Sequence, residues 1–394
     1  MRLALALLVA FSCLACRIEA QAPATYSESA AERQYDAMFS AVTTPQEPGL
    51  AAMIRKNGRT IYEKGFGVRD LRTKIPIFAQ TNFRLASFTK QFTAMAIMLL
   101  EQDGKLRYDE TLTEIFPEFP AYGRNITIRN LLNHTGGLPD YEDLMDAAEK
   151  TKGSAIWSAE HQIQDEEVLV LLEKESKGKF APGTSWAYSN SGYVVLGLIV
   201  AKASGEPFGK FLRERIFAPL HMDHTVVFQR GKNEVANRAY GYSKVNGELR
   251  ETDQSATSAT LGDGGIYSNL EDLAKWDDAL RNHTLLGAKE MQPALLPAKL
   301  TTGAPTLWPP GEASGDNQHP TKPVSYGFGW FLDPYQGHAR MWHTGDTMGF
   351  RTVIERFAKN NLTIVVLANR TDINPESLAL KAADLLLPAS WPTK

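Results

Sequence analysis

The order of apolar and polar positions divides the chain into three parts. Near the start, "GLAAMIRKNGRTIYEKGFGVRD" holds two strand-like runs joined at Asn57-Gly58, a dipeptide that favours a tight hairpin turn. A short helix is predicted before them, around Glu28 to Ser40. From about Ser87 to Leu286 the apolar spacing is mainly helical. "EEVLVLLEKES", "SGYVVLGLIVAKASG", "FGKFLRERI" and "NLEDLAKWDDALRN" repeat at three and four residues and are separated by Gly and Pro breaks. Residues 293–323 are rich in Pro and Gly and are expected to form a long surface excursion. Strand patterns return in "SYGFGWFLD", "HARMWHTG", "FRTVIERFA" and "LTIVVLANR", before a last helix in "PESLALKAADLLL".

Consecutive strands at this spacing favour an antiparallel sheet. The simplest architecture is an α/β fold of the α+β type: strands from both termini share one sheet flanked by helices, and a mainly helical lobe, about 87–322, is inserted between them. The expected layout is one two-lobed domain over 45–390, preceded by a segment at 21–44 and an export signal at 1–20.

That signal rests on "MRLALALLVAFSCLACRIEAQAPA", whose apolar run from Leu3 to about Ala15 is too short to span a bilayer as a mature helix. Cleavage after Ala20 removes Cys13 and Cys16, the two cysteines of the chain, and with them any disulfide or thiol nucleophile. The expected location is periplasmic or secreted, with a lipid anchor at Cys16 as the alternative. The 394 residues carry a formal net charge of -3, which offers no basic surface for nucleic acid. The expected partner is a small-molecule or peptide substrate of a monomeric protein that needs no cofactor or metal.

Three short motifs each occur twice. Ser-x-x-Lys is found at Ser87 and Lys90, opening the apolar run "SFTKQFTAMAIMLL", and again at Ser176 in the polar stretch "ESKGKFAPG", where a solvated turn is expected. Residues three apart on a helix share a face, so the Lys90 amine can reach the Ser87 hydroxyl. A serine nucleophile needs such a base, and an amine serves as one only if burial lowers its pKa from about 10.4 toward 7 or 8, at a cost of about 4 kcal/mol. Phe88, Phe92 and Met95 could supply part of that desolvation. The alternative has Lys90 reaching out to water along its own stem.

Tyr-Ser-Asn occurs at Tyr188 to Asn190 and at Tyr267 to Asn269. In the second copy Ser268 and Glu271 have the spacing of a helix capping box. The first copy leaves a phenol for proton transfer and an amide to hold a carbonyl. His-Thr-Gly occurs at His134 to Gly136, where a helix is expected to exit into a loop, and at His343 to Gly345 at the end of a strand. A strand edge there offers a substrate backbone donors, with Gly345 allowing close approach.

Taken in order, "SFTK" at 87–90, "YSN" at 188–190 and "HTG" at 343–345 resemble the signature boxes of the serine β-lactamase and penicillin-binding DD-peptidase family. The form resembled is that of class C β-lactamases, related DD-carboxypeptidases and family esterases. The likeness extends over roughly residues 45–390 and includes "LLNHTGGLPDY", "GGIYSNLEDLAKW" and "YGFGW". It implies an acyl-enzyme mechanism with Ser87 as nucleophile, Lys90 as its activating amine and Tyr188 as proton shuttle, Lys90 and Tyr188 both remaining open as the base. It further implies Asn190, His343, Thr344 and Gly345 at the substrate, and the backbone N–H groups of Ser87 and Asp346 as the oxyanion hole.

Two departures bear on the substrate. His343 stands where class C β-lactamases usually carry lysine, and a neutral imidazole attracts a carboxylate less strongly. Asp346 follows the glycine where a small neutral residue is common, and it should repel a substrate carboxylate unless Arg351 compensates. DD-peptidase or esterase activity is therefore expected ahead of β-lactam hydrolysis.

Other classes find less support. The chain has no Gly-x-Ser-x-Gly elbow. His221 and His224 in "LHMDH" lack a third metal ligand at useful spacing. "LGDGG" at 261–265 lacks the lysine and strand setting of a phosphate loop. The serious rival is a non-catalytic penicillin-binding sensor of peptidoglycan that acylates without turning over.

Overall fold

A computed structural model describes residues 30–307 and 323–388. The expected export signal, both cysteines and the centre of the predicted excursion lie outside these residues. Five strands form the main sheet: β1 (Leu50–Lys56), β2 (Arg59–Phe66), β3 (Met341–Thr347), β4 (Phe350–Phe357) and β5 (Leu362–Ala368). They lie in the order β3-β4-β5-β1-β2 with every neighbour antiparallel, so the two ends of the chain meet where Leu50 pairs with Ala368 and Ile54 with Ile364. Asn57 and Gly58 take positive φ values of 52° and 75°, as the two-residue hairpin between β1 and β2 requires.

Period-two burial divides the sheet between two cores. Leu50, Ala52 and Ile54 of β1 join Ile364 and Val366 of β5 under two terminal helices, α1 (Ala30–Ser40) and α9 (Pro375–Asp384), which contribute Tyr35, Phe39, Leu378 and Ala379. Ala51, Met53, Val365 and Leu367 face the opposite way, into the larger core built by the helical segment.

That segment contributes α2 (Lys90–Gln102), α3 (Ile128–Leu132), α4 (Tyr141–Lys152), α5 (Asp165–Glu173), α6 (Asn190–Ser204), α7 (Phe208–Leu212) and α8 (Leu270–Asn282). Every residue of α2 from Lys90 to Leu100 is buried. A helix without a polar face occupies the middle of a core, and here Phe92 packs on Trp276 of α8 at 4.5 Å between ring centroids. Helix α8 is fastened to the sheet by the buried Asp277 carboxylate. It accepts from Arg356 at 2.9 Å and Thr363 at 2.7 Å and pairs with Arg55 at 3.1 Å. Three partners on three strands satisfy a charge that would be destabilising if left alone.

Three expectations are corrected here. "SYGFGWFLD" is not a regular strand: Gly327 donates back to the Trp330 carbonyl at 2.8 Å, and Gly329 turns with φ 76°. A Cβ on Gly329 would stand 2.8 Å from the Lys90 carbonyl oxygen, so the stretch folds as a tight turn wedged against the start of α2. The segment expected to be mainly helical also holds a small sheet of Phe83–Arg84, Ile266–Ser268 and Val226–Val227, and a hairpin of Tyr242–Val245 with Glu248–Glu251. Helix α8 is capped by the Asn269 side chain accepting from Asp272 N–H, not by a box of Ser268 and Glu271, because Ser268 is still paired in the strand.

Candidate functional site

The first box sits where the small sheet delivers the chain to α2. Leu85 N–H donates to the Ile266 carbonyl at 2.8 Å, and its own carbonyl accepts from Thr352 of β4 at 2.9 Å. Ala86 then adopts φ 50°, a strained left-handed conformation for a residue with a side chain. The turn throws Ser87 outward into a short 3₁₀ turn, Ala86–Thr89, ahead of α2. From 81 to 100, Ser87 alone is not buried.

Lys90 does not reach water: it is 0% exposed. Its Nζ donates to Ser87 Oγ at 2.9 Å, Asn190 Oδ1 at 2.9 Å and the Asp263 carbonyl at 3.0 Å, and lies 5.0 Å from the centre of the Tyr188 ring. Three acceptors match the three protons of an ammonium. Burial nevertheless lowers the amine to about 8, against the opposing pull of Asp263 and Glu142. About a tenth of the lysines are then neutral at pH 7, against roughly one in a few thousand for an unperturbed amine.

The Tyr188 hydroxyl lies beside Ser87, whose side chain offsets part of the effect of burial on the phenol. Burial raises the phenol above its ordinary range, so it is a neutral group at physiological pH. Asn190 is the first residue of α6 and leaves the capping to Ser189, whose side chain accepts from Gly192 N–H at 3.0 Å. The second Tyr-Ser-Asn copy lies elsewhere, in the small sheet and at the start of α8.

His343, Thr344, Gly345 and Asp346 lie on β3, an edge strand. The outer edge of β3 is already paired at Trp342, which exchanges hydrogen bonds with Phe331 at 2.9 and 3.0 Å. Backbone groups alternate along a strand, so those of Thr344 and Asp346 point the same way as those of Trp342, toward the side that carries Phe331. His343 itself faces inward and is 1% exposed. Its Nδ1 donates to the Thr344 carbonyl at 2.6 Å, which fixes the tautomer and leaves Nε2 to accept from Tyr326 at 3.1 Å. Burial, with Lys90 nearby, lowers the imidazole to about 3, so it is neutral. Gly345 makes a close approach of a different kind from that expected. A Cβ there would stand 2.0 Å from the Leu85 carbonyl oxygen, so the glycine seats the turn of Ser87 against β3. Asp346 is half exposed and paired with Arg351, its cross-strand neighbour, at 2.6 Å.

Two residues of the site carried no sequence signal that was taken as functional. Asp263, in the glycine-rich "LGDGG", presents its carbonyl to Lys90 and buries its carboxyl near it. His134, in the other His-Thr-Gly, packs its ring 4.5 Å from that of Tyr188 and 4.5 Å from that of Tyr326. The duplicated tripeptide was the available signal, and an adequate turn explanation masked it. By contrast, Ser176 lies exposed in a bend. Among the described residues no group of three or more His, Cys, Asp or Glu side chains is placed to hold a metal ion. No described helix is long and apolar enough to cross a membrane.

A buried amine on a serine, beside a phenol and an edge strand, is an arrangement that can activate the serine as a nucleophile. Comparison with known proteins agrees with the fold. The family model described as Beta-lactamase matches residues 30–388, and the chain belongs to that family. Penicillin-binding protein 4* of Bacillus subtilis is 32% identical over 347 residues, covering 84% of this chain and 70% of that protein. A penicillin-binding protein of Bacillus halodurans superposes with a TM-score of 0.71 at 25% identity, over 90% of this chain and 99% of that one. The D-amino acid amidase of Ochrobactrum anthropi SV3, in complex with L-phenylalanine amide, gives a TM-score of 0.72 at 25% identity, over 91% and 99%.

Proposed function

We propose that the protein is a serine hydrolase that cleaves an amide or ester through an acyl-enzyme intermediate. The observation that carries this reading is the wholly buried Lys90 amine, 2.9 Å from the hydroxyl of Ser87, the one residue between 81 and 100 that is not buried. Neutral Lys90 takes the Ser87 proton as Oγ attacks the carbonyl carbon. The tetrahedral oxyanion is held by the backbone N–H groups of Ser87 and Asp346. Tyr188, neutral and beside Ser87, gives its proton to the leaving group and is reprotonated by the Lys90 ammonium, which returns the amine to its neutral form, and it later assists the water that releases the acyl group.

The substrate class follows from charge. Neutral His343 and the carboxylate of Asp346 replace the cation that a substrate carboxylate would seek, and Arg351 is engaged by Asp346. Amidase or esterase activity on a substrate with little charge at this edge is favoured over hydrolysis of a β-lactam or a D-Ala-D-Ala peptide, both of which carry a carboxylate there. The kinship with a D-amino acid amidase supports the same choice.

The test is to incubate the protein and Ser87→Ala with a short-chain p-nitrophenyl ester, a D-Ala-D-Ala peptide, a D-amino acid amide, a chromogenic cephalosporin and a fluorescent penicillin. Turnover of an ester, peptide or amide that disappears in Ser87→Ala supports the reading. Identical behaviour of the two proteins on all five removes Ser87 as nucleophile, and a single burst without turnover identifies a sensor.

A further inference from the structure

We propose that His134 is a positioning residue that holds Tyr188 in place by gripping the residue on either side of it and covering its ring. The inference rests on the role proposed above for Tyr188 in giving a proton to the leaving group.

Three contacts from one residue converge on this loop. The His134 carbonyl accepts from Ala187 N–H at 3.1 Å. Its ring Nδ1 accepts from Ser189 N–H at 3.2 Å. Between those two anchors its ring lies 4.5 Å from the Tyr188 ring, tilted by 40°. Phe331 stacks on Tyr188 from 6.4 Å at 6°, so the phenol is confined by aromatic neighbours as well as through its own backbone.

The backbone of His134 is shaped for this grip. It has φ 64°, a left-handed conformation uncommon for a residue with a side chain, and it is 1% exposed. Nδ1 can accept only if unprotonated, so the neutral tautomer carries its proton on Nε2, which is buried with no hydrogen-bond partner among the described residues. Burial, with Lys90 and His343 close by, holds the imidazole well below its ordinary range and keeps that acceptor available. A phenylalanine would cover Tyr188 but leave Ser189 N–H unmatched. An asparagine tolerates the left-handed backbone and keeps an acceptor but has no ring. Histidine meets all of these demands.

The two substitutions therefore take the grip apart. His134→Asn and His134→Phe are compared with wild type on two substrates sharing one acyl group. One is a p-nitrophenyl ester, whose leaving group needs no proton; the other is an alkyl ester or amide, whose leaving group does. Folding is checked by circular dichroism, and the asparagine variant carries the test if the phenylalanine variant does not fold. The expected result is a fall in kcat/KM of roughly 10- to 100-fold on the unactivated substrate against less than about 3-fold on the activated ester. In a Tyr188→Phe background the same substitutions should add almost nothing. Equal losses on both substrates, or full additivity with Tyr188→Phe, would show a merely structural histidine and overturn the inference while leaving the serine mechanism intact. Activity surviving in Ser87→Ala would instead remove the mechanism and this inference together.

Discussion

Ser87-Lys90 and Ser176-Lys179 share the same spacing and almost nothing else. In the first, the strained turn at Ala86 and the core around α2 leave the serine partly exposed and the lysine with no exposure at all. In the second, both side chains stand in solvent on an irregular stretch. An amine in water keeps its proton and an amine inside the core gives it up more readily, so burial, not spacing, separates a candidate base from a surface charge. The comparison can be pressed from both sides.

The largest effect is expected at Lys90. Lys90→Arg keeps the charge and cannot supply a neutral base near pH 7, so acylation of Ser87 should fall by at least about 1,000-fold. Single-turnover labelling with a fluorescent penicillin, or the ester burst, measures it directly. Near-normal acylation would pass the role of base to Tyr188.

The same amine predicts a pH dependence. With Lys90 lowered to about 8, the neutral fraction rises about tenfold per pH unit below that value and levels off above it. Wild-type kcat/KM on an ester should follow this curve, with an apparent pKa near 8. A flat profile from pH 6 to 9 would mean that the buried amine does not titrate in the rate-limiting step.

Burial acts in the opposite direction on stability through the two histidines beside Lys90. His134 and His343 are both held neutral, His343 with a folded pKa of about 3, whereas in the unfolded chain each takes a proton near pH 6.5. Between those values the unfolded state binds more protons, so stability should fall as pH drops from about 6.5, by up to about 2 kcal/mol at pH 5 through His343, with His134 acting in the same direction. Urea midpoints at pH 7, 6 and 5 measure the slope. His343→Gln should flatten the slope, and an unchanged slope would place the titrating groups elsewhere.

How much of this was legible beforehand depends on the length of the element concerned. The strands β1, β4 and β5 and the helices α2, α6 and α8 are long enough for their apolar period to declare them. Two-residue strands such as Phe83–Arg84 have no period to read, yet they aim Ser87. "SYGFGWFLD" alternates like a strand and folds as a turn, because Gly329 fits against the Lys90 backbone in a way no local pattern encodes. Ser87, Lys90, Tyr188 and Asn190 were findable because their boxes lie at element starts. His134 lies in a stretch that a helix-to-loop turn explains locally, and the glycine run around Asp263 matches no phosphate loop and points to no other chemistry. Their closeness to Tyr188 and Lys90 exists only once the chain has folded.

A smaller effect is expected at the mouth. Asp346 is half exposed and shares Arg351, so screening leaves it a modest influence. Asp346→Asn keeps the backbone N–H and frees the guanidinium. It should raise the rate of penicillin acylation relative to that of a neutral ester by roughly 3- to 10-fold at low salt, and less at high salt. No change in that ratio would mean that the substrate carboxylate lies away from this edge.

The smallest effect returns to the exposed copy. Ser176→Ala with Lys179→Ala removes a solvated serine and lysine from a bend, and neither kcat/KM nor the melting temperature should change beyond error, since surface substitutions of this kind stay within about 0.5 kcal/mol. The value of the control lies in its symmetry. If the exposed pair mattered as the buried one does, spacing alone would carry function and the burial of Lys90 would explain nothing. If only the buried pair responds, the same two residue types three apart are inert in water and reactive in the core, and the difference belongs to the fold that surrounds them.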